Sequence, residues 1–115
     1  MTGPLLPTVL DRASGAEEAF TLVMDPDLTA FQGHFPGNPI LPGVVQVDWA
    51  IRFGALAFGD LGRFRGVDQL KFQDLIQPGE VLELKLGFDP GHGRLRFRFQ
   101  AGSARKSSGV ILFAR

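Results

Sequence analysis

The stretch that most constrains this chain reads HFPGNPILPG, from His34 to Gly43, and it leads directly into an apolar segment whose single acid is Asp48. Each proline fixes its own φ at about −65° and moves the preceding residue toward extended geometry, so a stiff loop is predicted. The pattern therefore places a candidate base on a rigid loop and a candidate acid on the adjoining element. The alternative is an ordinary proline-glycine turn.

The segment from Val44 to Phe58 is predicted to form a helix that is buried on most sides, because its apolar residues leave hardly any polar face. Pro42 and Gly43 stand where this helix should begin. The segment is too short and too polar to span a bilayer. One long buried helix is therefore expected at the centre of the fold.

Alternation of apolar and polar residues predicts half-buried antiparallel strands around that helix. The clearest case is Arg94 to Phe99, where three arginines alternate with large apolar residues, and Asp89 to Gly93 before it is typical of a hairpin loop. The pieces favour an α+β architecture, a curled antiparallel sheet wrapped around one long buried central helix, whose open edges would pair in a homodimer. The other predicted strands are Glu18 to Met24, Asp68 to Ile76, Val81 to Leu86 and Val110 to Ala114.

Composition sets further limits. With 115 residues, 44% of them hydrophobic, and a formal net charge of +0, the chain is expected to be a single domain over residues 1–115 with no nucleic-acid partner. The absence of cysteine excludes disulfides and thiolate metal sites, and it fits a cytoplasmic location. No signal peptide or membrane segment is expected. Because His34 and His92 have no short-spaced ligand partner, no metal site is expected either.

A longer pattern begins in the His34 loop and continues past the predicted helix. Its residues are His34-Phe35-Pro36-Gly37, Pro39, Pro42-Gly43-Val44, Asp48, Lys71-Phe72, Ile76 and Pro78-Gly79-Glu80. This pattern resembles a known family, the bacterial (3R)-hydroxyacyl-acyl-carrier-protein dehydratases of the hot-dog fold. The resemblance covers roughly Phe31 to Phe99, and the segment Val44 to Ala50 is more similar to the aryl-polyene-pathway branch than to the housekeeping fatty-acid enzymes.

The resemblance implies a reaction and a set of roles. His34 would remove a C2 proton from a 3-hydroxyacyl thioester, Asp48 of the other subunit would assist departure of the C3 hydroxyl as water, and the Gly43 amide would hold the thioester carbonyl. The family uses no metal or organic cofactor, and its acyl chain arrives on the phosphopantetheine arm of an acyl carrier protein. Three further residues are implied as substrate contacts: Phe35, Pro42 and Phe53.

The residue types fit this chemistry independently. An unperturbed imidazole is largely neutral at cellular pH and can act as a base. The N-terminus of a helix starting at Gly43 presents a free N–H and a positive dipole end to a developing enolate oxygen. Two effects on Asp48 oppose each other: its apolar neighbours favour the protonated form, whereas Arg52, one turn later, favours the charged form. Many housekeeping relatives carry glutamine at the Arg52 position.

Other functions stay open at this point. The same fold hosts acyl thioesterases, and a non-catalytic subunit could bind an acyl chain or complete a heterodimer. An assembly larger than a dimer is a further alternative.

Several single residues have two interpretations. Phe53 could line an acyl tunnel or simply pack in the core, and His92 is predicted to be an exposed turn residue. The three arginines between Arg94 and Phe99 are interpreted as a solvated face of the sheet, whose charges pair with acids such as Glu83, and not as a docking surface for the carrier protein. Better candidates for carrier docking are Arg63, Arg65 and Lys71.

Overall fold

The computed structural model describes residues 3–32, 37 and 39–114. Within these residues the strands form one antiparallel sheet in the order β1-β2-β4-β5-β6-β3, so β1 and β3 are its edges. The elements are β1 (Thr8–Ser14), β2 (Glu18–Val23), a 3-10 turn (Thr29–Phe31), α1 (Gly43–Phe58), β3 (Arg63–Phe72), β4 (Val81–Asp89), β5 (Arg94–Ala101) and β6 (Ala104–Ala114).

Helix α1 has the predicted bounds, for reasons that lie at its ends. Pro42 occupies the N-cap position with extended backbone (φ −62°, ψ 147°), and the helix begins at Gly43. The helix ends at Phe58 because Gly59 turns the backbone to φ 81°, and the amide of Gly59 donates to the carbonyl of Ala55 at 2.9 Å. Among the described residues, no helix is long and apolar enough to cross a membrane.

The burial of α1 differs from the prediction. Trp49, Ala50 and Phe53 are buried against the sheet, but Val44 and Leu56 on the other side are 77% and 63% exposed. The helix therefore buries one face only in the isolated chain, and the prediction of burial on most sides is wrong for a single chain. Periodicity did not reveal this, because the outer face also carries apolar residues.

The strands with alternating apolar and polar residues bury their apolar side, as predicted. The inner, helix-facing side of β4 and β5 forms the core, and each fully buried leucine or phenylalanine contributes about 1.5–3 kcal/mol through removal of apolar surface from water. The arginines of β5 alternate with these residues and so point to the outer face of the sheet. The inner residues, none of them more than 3% exposed, are Leu82, Leu84, Leu86, Leu95, Phe97 and Phe99.

Both edges of the sheet differ from the sequence prediction, one through wrong bounds and the other through a strand that was not predicted. Strand β3 runs from Arg63 to Phe72, not from Asp68 to Ile76, and its pairing with β6 contains two register shifts that interrupt the alternation. Strand β1 was not predicted, because all seven of its residues are exposed and leave no apolar face to recognise.

Strand β6 is longer than predicted. It begins at Ala104, not at Val110, so Lys106 to Gly109 belongs to the sheet and not to a connecting loop. Ser107 is fully buried in this stretch and lies opposite Phe99 of β5. The polar sequence suggested a loop, but pairing on both sides, with β5 and β3, overrides local propensity.

A buried cation ties the connection between β3 and β4 to β6. The Nζ atom of Lys106 lies 3.1 Å from Asp74 and 2.9 Å from Glu80, and it donates to the carbonyl of Leu75 at 2.9 Å. Burial acts to lower the pKa of Lys106, but the hydrogen bonds and charges of Glu80 and Asp74 outweigh it, so this pKa is raised. The same hydrogen bond from Lys106 lowers the pKa of Asp74.

Replacing Lys106 tests this connection. We expect Lys106→Met to lower the free energy of unfolding by about 2 kcal/mol at neutral pH, because charge-assisted hydrogen bonds are lost. Because the folded pKa of Asp74 is depressed, the part of this stabilisation that comes from the Asp74 carboxylate is present above about pH 4 and is lost as the pH falls further. Urea unfolding at pH 7 and pH 3 should therefore show that the free energy of unfolding falls less between these two pH values in the variant than in the wild type. The control is Lys85→Met, whose ammonium contacts Glu83 at 3.8 Å on the sheet surface; an equal effect there would contradict the prediction.

Candidate functional site

The loop that carries the candidate base is only partly described. His34 and Phe35 lie outside the described residues, and their roles stay predictions. Phe31 before the loop and Leu41 after it are both buried, at 5% and 3% exposure. Both flanks of the segment are therefore attached to the hydrophobic core.

Leu41 is held at both of its backbone groups. Its amide donates to the carbonyl of Ile76 at 2.8 Å, and its carbonyl accepts a hydrogen bond from Nε2 of Gln46 at 3.2 Å. Gln46 is itself only 4% exposed, and its Oε1 has no hydrogen-bond partner. The chain entering α1 is thus fixed by a buried glutamine. No local pattern in the sequence indicated this role for Gln46.

The first turn of α1 has the expected form. The amides of Val45 and Gln46 donate to the carbonyl of Pro42 at 3.1 and 3.2 Å. A Cβ atom on Gly43 would lie 2.5 Å from Cζ of Phe72, so the ring from β3 packs over this glycine. Glycine at position 43 therefore permits close approach of a neighbouring group.

Asp48 lies on the exposed side of α1. Its Oδ2 atom is 2.8 Å from Nε of Arg52, and the two side chains are 51% and 59% exposed. Of the two opposing effects expected for Asp48, the isolated chain therefore contains the ion pair and not the apolar surroundings. Trp49 and Ala50, its neighbours in sequence, point into the core instead. The alternation of helix faces explains why adjacent residues did not predict the environment of this carboxylate.

A cavity of about 180 Å³ lies beside Asp48. One wall is the N-terminal segment, which is held to the core where Nε1 of Trp49 donates to the carbonyl of Leu5 at 3.2 Å. A second tie is the hydroxyl of Thr29, which donates to the carbonyl of Gly3 at 3.0 Å. No local pattern links residues this far apart in sequence, so Leu5 and Thr29 were not predicted. The cavity is lined by Leu5, Thr29, Ala30, Val45, Asp48, Trp49 and Arg52.

Phe53 does not line this cavity. It is 4% exposed, and its ring centroid lies 5.0 Å from that of Phe20. In the isolated chain Phe53 is a core residue, which is one of its two predicted interpretations. Its contact with substrate stays a prediction.

His92 is an exposed turn residue, as predicted. Its Nδ1 atom lies 2.7 Å from Oδ2 of Asp89, and the hydrogen bond lowers the pKa of Asp89. Within the described residues, no group of three or more histidine or acidic side chains is arranged to hold a metal ion.

Comparison with known proteins identifies the family. Residues 11–110 match the family described as ApeI-like, ApeI dehydratase. The chain is 42% identical over 66 residues to the 3-hydroxyacyl-[acyl-carrier-protein] dehydratase FabZ of Oenococcus oeni, covering 51% of this chain and 48% of that protein. It is 36% identical over 94 residues to the FabZ of Alkaliphilus metalliredigens, covering 73% and 64%. The chain thus spans about half to two thirds of these curated relatives.

One solved structure is similar over nearly the whole chain. It is the dehydratase heterocomplex ApeI:P from Xenorhabdus doucetiae, with a TM-score of 0.86 and 35% identity, covering 95% of this chain and 98% of that one. The expected arrangement of a curled antiparallel sheet around one helix is thereby confirmed as a hot-dog fold. Together with the match over residues 11–110, this likeness shows that the chain belongs to the ApeI-like family of hot-dog dehydratases, near the aryl-polyene branch that its sequence indicated.

Proposed function

We propose that this protein dehydrates (3R)-3-hydroxyacyl thioesters, bound to an acyl carrier protein, to trans-2-enoyl thioesters in aryl polyene or fatty-acid-like biosynthesis. The observation that carries the proposal is the carboxylate of Asp48 at the wall of a cavity beside the first turn of α1, in a chain of a dehydratase family. The reaction needs no cofactor, and the proposed location is the cytoplasm.

The proposed mechanism assigns one group to each chemical requirement. The imidazole of His34 takes the C2 proton, and the N–H of Gly43 at the start of α1 stabilises the enolate oxygen. The C3–O bond then breaks, and the hydroxyl leaves as water with a proton supplied by Asp48 of the partner subunit. To close the cycle, the imidazolium of His34 gives the C2 proton to solvent and the Asp48 carboxylate takes a proton back from solvent, so that only water is released from the substrate. Pro42, which has no N–H, fixes the backbone before Gly43, and Phe35 contacts the substrate.

Arg52 bears directly on the role of Asp48. Its guanidinium holds the carboxylate at 2.8 Å in a largely exposed pair, which contributes little to stability. Glutamine at position 52 could still donate a hydrogen bond to Asp48, so Arg52 is proposed to orient the acid and not to react.

Substitutions at these positions test the mechanism. We expect His34→Ala and Asp48→Asn each to lower kcat at least about 100-fold, because each removes a proton-transfer group. Arg52→Gln is the matched control, and its kcat should stay within about tenfold of the wild type because the hydrogen-bond donor is retained. The measurement is enoyl product formed from a 3-hydroxyacyl carrier protein, followed by mass spectrometry.

The same assay separates the competing reaction. A thioesterase would release free acid and carrier thiol, and no enoyl product would form. Undiminished dehydration by either variant would remove that residue from the mechanism.

Gln46 provides a test of positioning. We expect Gln46→Leu to lower kcat by about tenfold, because Leu41 loses its tie to α1 and the Gly43 amide shifts relative to the substrate. The unfolding free energy should change by less than about 1 kcal/mol, since the lost hydrogen bond is offset by removal of a buried, unsatisfied Oε1. Steady-state kinetics and thermal unfolding check both expectations. An unchanged kcat would show that Gln46 has no part in positioning.

We also propose a homodimer formed through β3. Helix α1 leaves the inner side of this edge strand uncovered, and a second copy would remove its apolar side chains from water. Exposed Arg63, Arg65 and Lys71 on the same strand stay proposed contacts for the carrier protein. We call these uncovered side chains the apolar strip; they are Phe64 (51% exposed), Val67 (40%), Leu70 (39%) and Phe72 (50%).

A charge in this strip should break the dimer. We expect Leu70→Asp to weaken self-association at least about tenfold, since it removes apolar contact and buries a carboxylate. Analytical ultracentrifugation over a range of concentrations measures the dissociation constant. The control is Leu10→Asp on β1, the other edge of the sheet, where Leu10 is 60% exposed. Dissociation by Leu10→Asp alone would place the interface on β1.

One observation favours a second candidate assembly. The similar structure from Xenorhabdus doucetiae is a heterocomplex, so this chain could serve as one subunit of a mixed pair. A wild-type chain that stays monomeric and inactive alone, but becomes active with a co-purifying homologue, would support that assembly over the homodimer.

A further inference from the structure

The outer face of the sheet contains a second cavity, of about 220 Å³, on the side opposite to α1. Four cationic side chains and one carboxylate surround a small hydroxyl side chain there. We call this site the cationic pocket, and define it by Lys71, Arg96, Arg98, Arg105, Ser108 and Glu17.

Strand register explains why the pocket forms. Ser108 of β6 pairs with Lys71 of β3 on one side and with Arg98 of β5 on the other. Adjacent strands lie about 4.8 Å apart, so the two long cationic side chains flank a short one. The small side chain of Ser108 leaves a depression between them, with its hydroxyl at the floor.

The charges of the pocket are not balanced within the chain. Arg98 is the only pocket cation with an ion pair among the described residues, a contact of 3.4 Å with Glu17. Lys71, Arg96 and Arg105 have no ion-pair partner in that part of the chain. The sequence as a whole carries 12 basic and 12 acidic residues, so the surplus of positive charge is local.

The sequence interpretation of this face was wrong in one respect. The β5 arginines were expected to pair with acids such as Glu83, but Glu83 contacts Lys85 at 3.8 Å instead. Like charges held together repel one another, and an anion bound between them removes this cost.

We propose that the cationic pocket binds the phosphoryl group of a small phosphate ester or of phosphate itself. Guanidinium groups form paired hydrogen bonds with tetrahedral oxyanions, and lysine and serine add further donors. A concave site of this volume suits one small anion better than the broad surface of an acidic protein. The site is distinct from the cavity at Asp48 and does not depend on the dehydratase proposal.

Titration of the folded chain tests the site. The probes are inorganic phosphate, adenosine 3′,5′-bisphosphate and phosphopantetheine, each added at constant ionic strength so that screening does not change. Amide shifts of Ser108 and Gly109 in NMR spectra report binding at the pocket floor. The preferred probe identifies the source of the phosphoryl group: mineral phosphate, a nucleotide or a pantetheine arm.

Paired variants locate the binding. We expect Arg96→Gln with Arg105→Gln to weaken phosphoryl binding at least about tenfold, because two charged donors are lost. The matched control is Arg94→Gln, on the same strand and face but outside the pocket, which should bind as the wild type does. These arginines lie outside the core, so unfolding curves should be unchanged.

Three outcomes would overturn the proposal. The first is no saturable shift with any probe, and the second is an equal loss of binding in the Arg94→Gln control. The third is loss of carrier-protein binding in the double variant with no phosphoryl binding by the wild type, which would assign the surface to protein docking.

Discussion

Burial of a single face of α1 against the inner side of β4 and β5 is the interaction on which the rest of the structure depends. Trp49, Ala50 and Phe53 fill this contact, and the strands present a continuous apolar surface to them. Because one face is committed to the core, the side chains of the opposite face are the ones left available to a site. Asp48 and Arg52 lie there.

The position of the helix N-terminus follows from the same contact. Once α1 is fixed by its buried face, Leu41 is drawn against Ile76, and the β3–β4 connection is secured in turn by Lys106. The start of α1 is thus tied through Leu41 to the β3–β4 connection, and through that connection to Lys106 of β6. Such mutual support is what a site needs if an oxyanion is to be stabilised without reorganisation.

Much of the fold could be predicted from local pattern. The bounds of α1 followed from Pro42 and Gly59, and β4 and β5 followed from strict alternation of apolar residues. The features that escaped prediction have no local signature. Strand β1 is exposed on every residue, Ser107 is polar yet buried, and the wall beside Asp48 depends on a hydrogen bond between Trp49 and Leu5. Contacts between residues that are distant in sequence determine these features, and local residue preferences do not reveal such contacts.

The isolated chain has two surfaces that its own residues do not complete. One is the carboxylate of Asp48, which lies half exposed beside a cavity, and the other is the apolar strip on β3 that includes Phe72. The two are linked through the first turn of α1, because the ring of Phe72 packs over Gly43 and Asp48 follows little more than one turn later. A partner that covers the strip therefore also approaches the helix start. In the proposed homodimer, assembly and completion of the site would therefore be the same event.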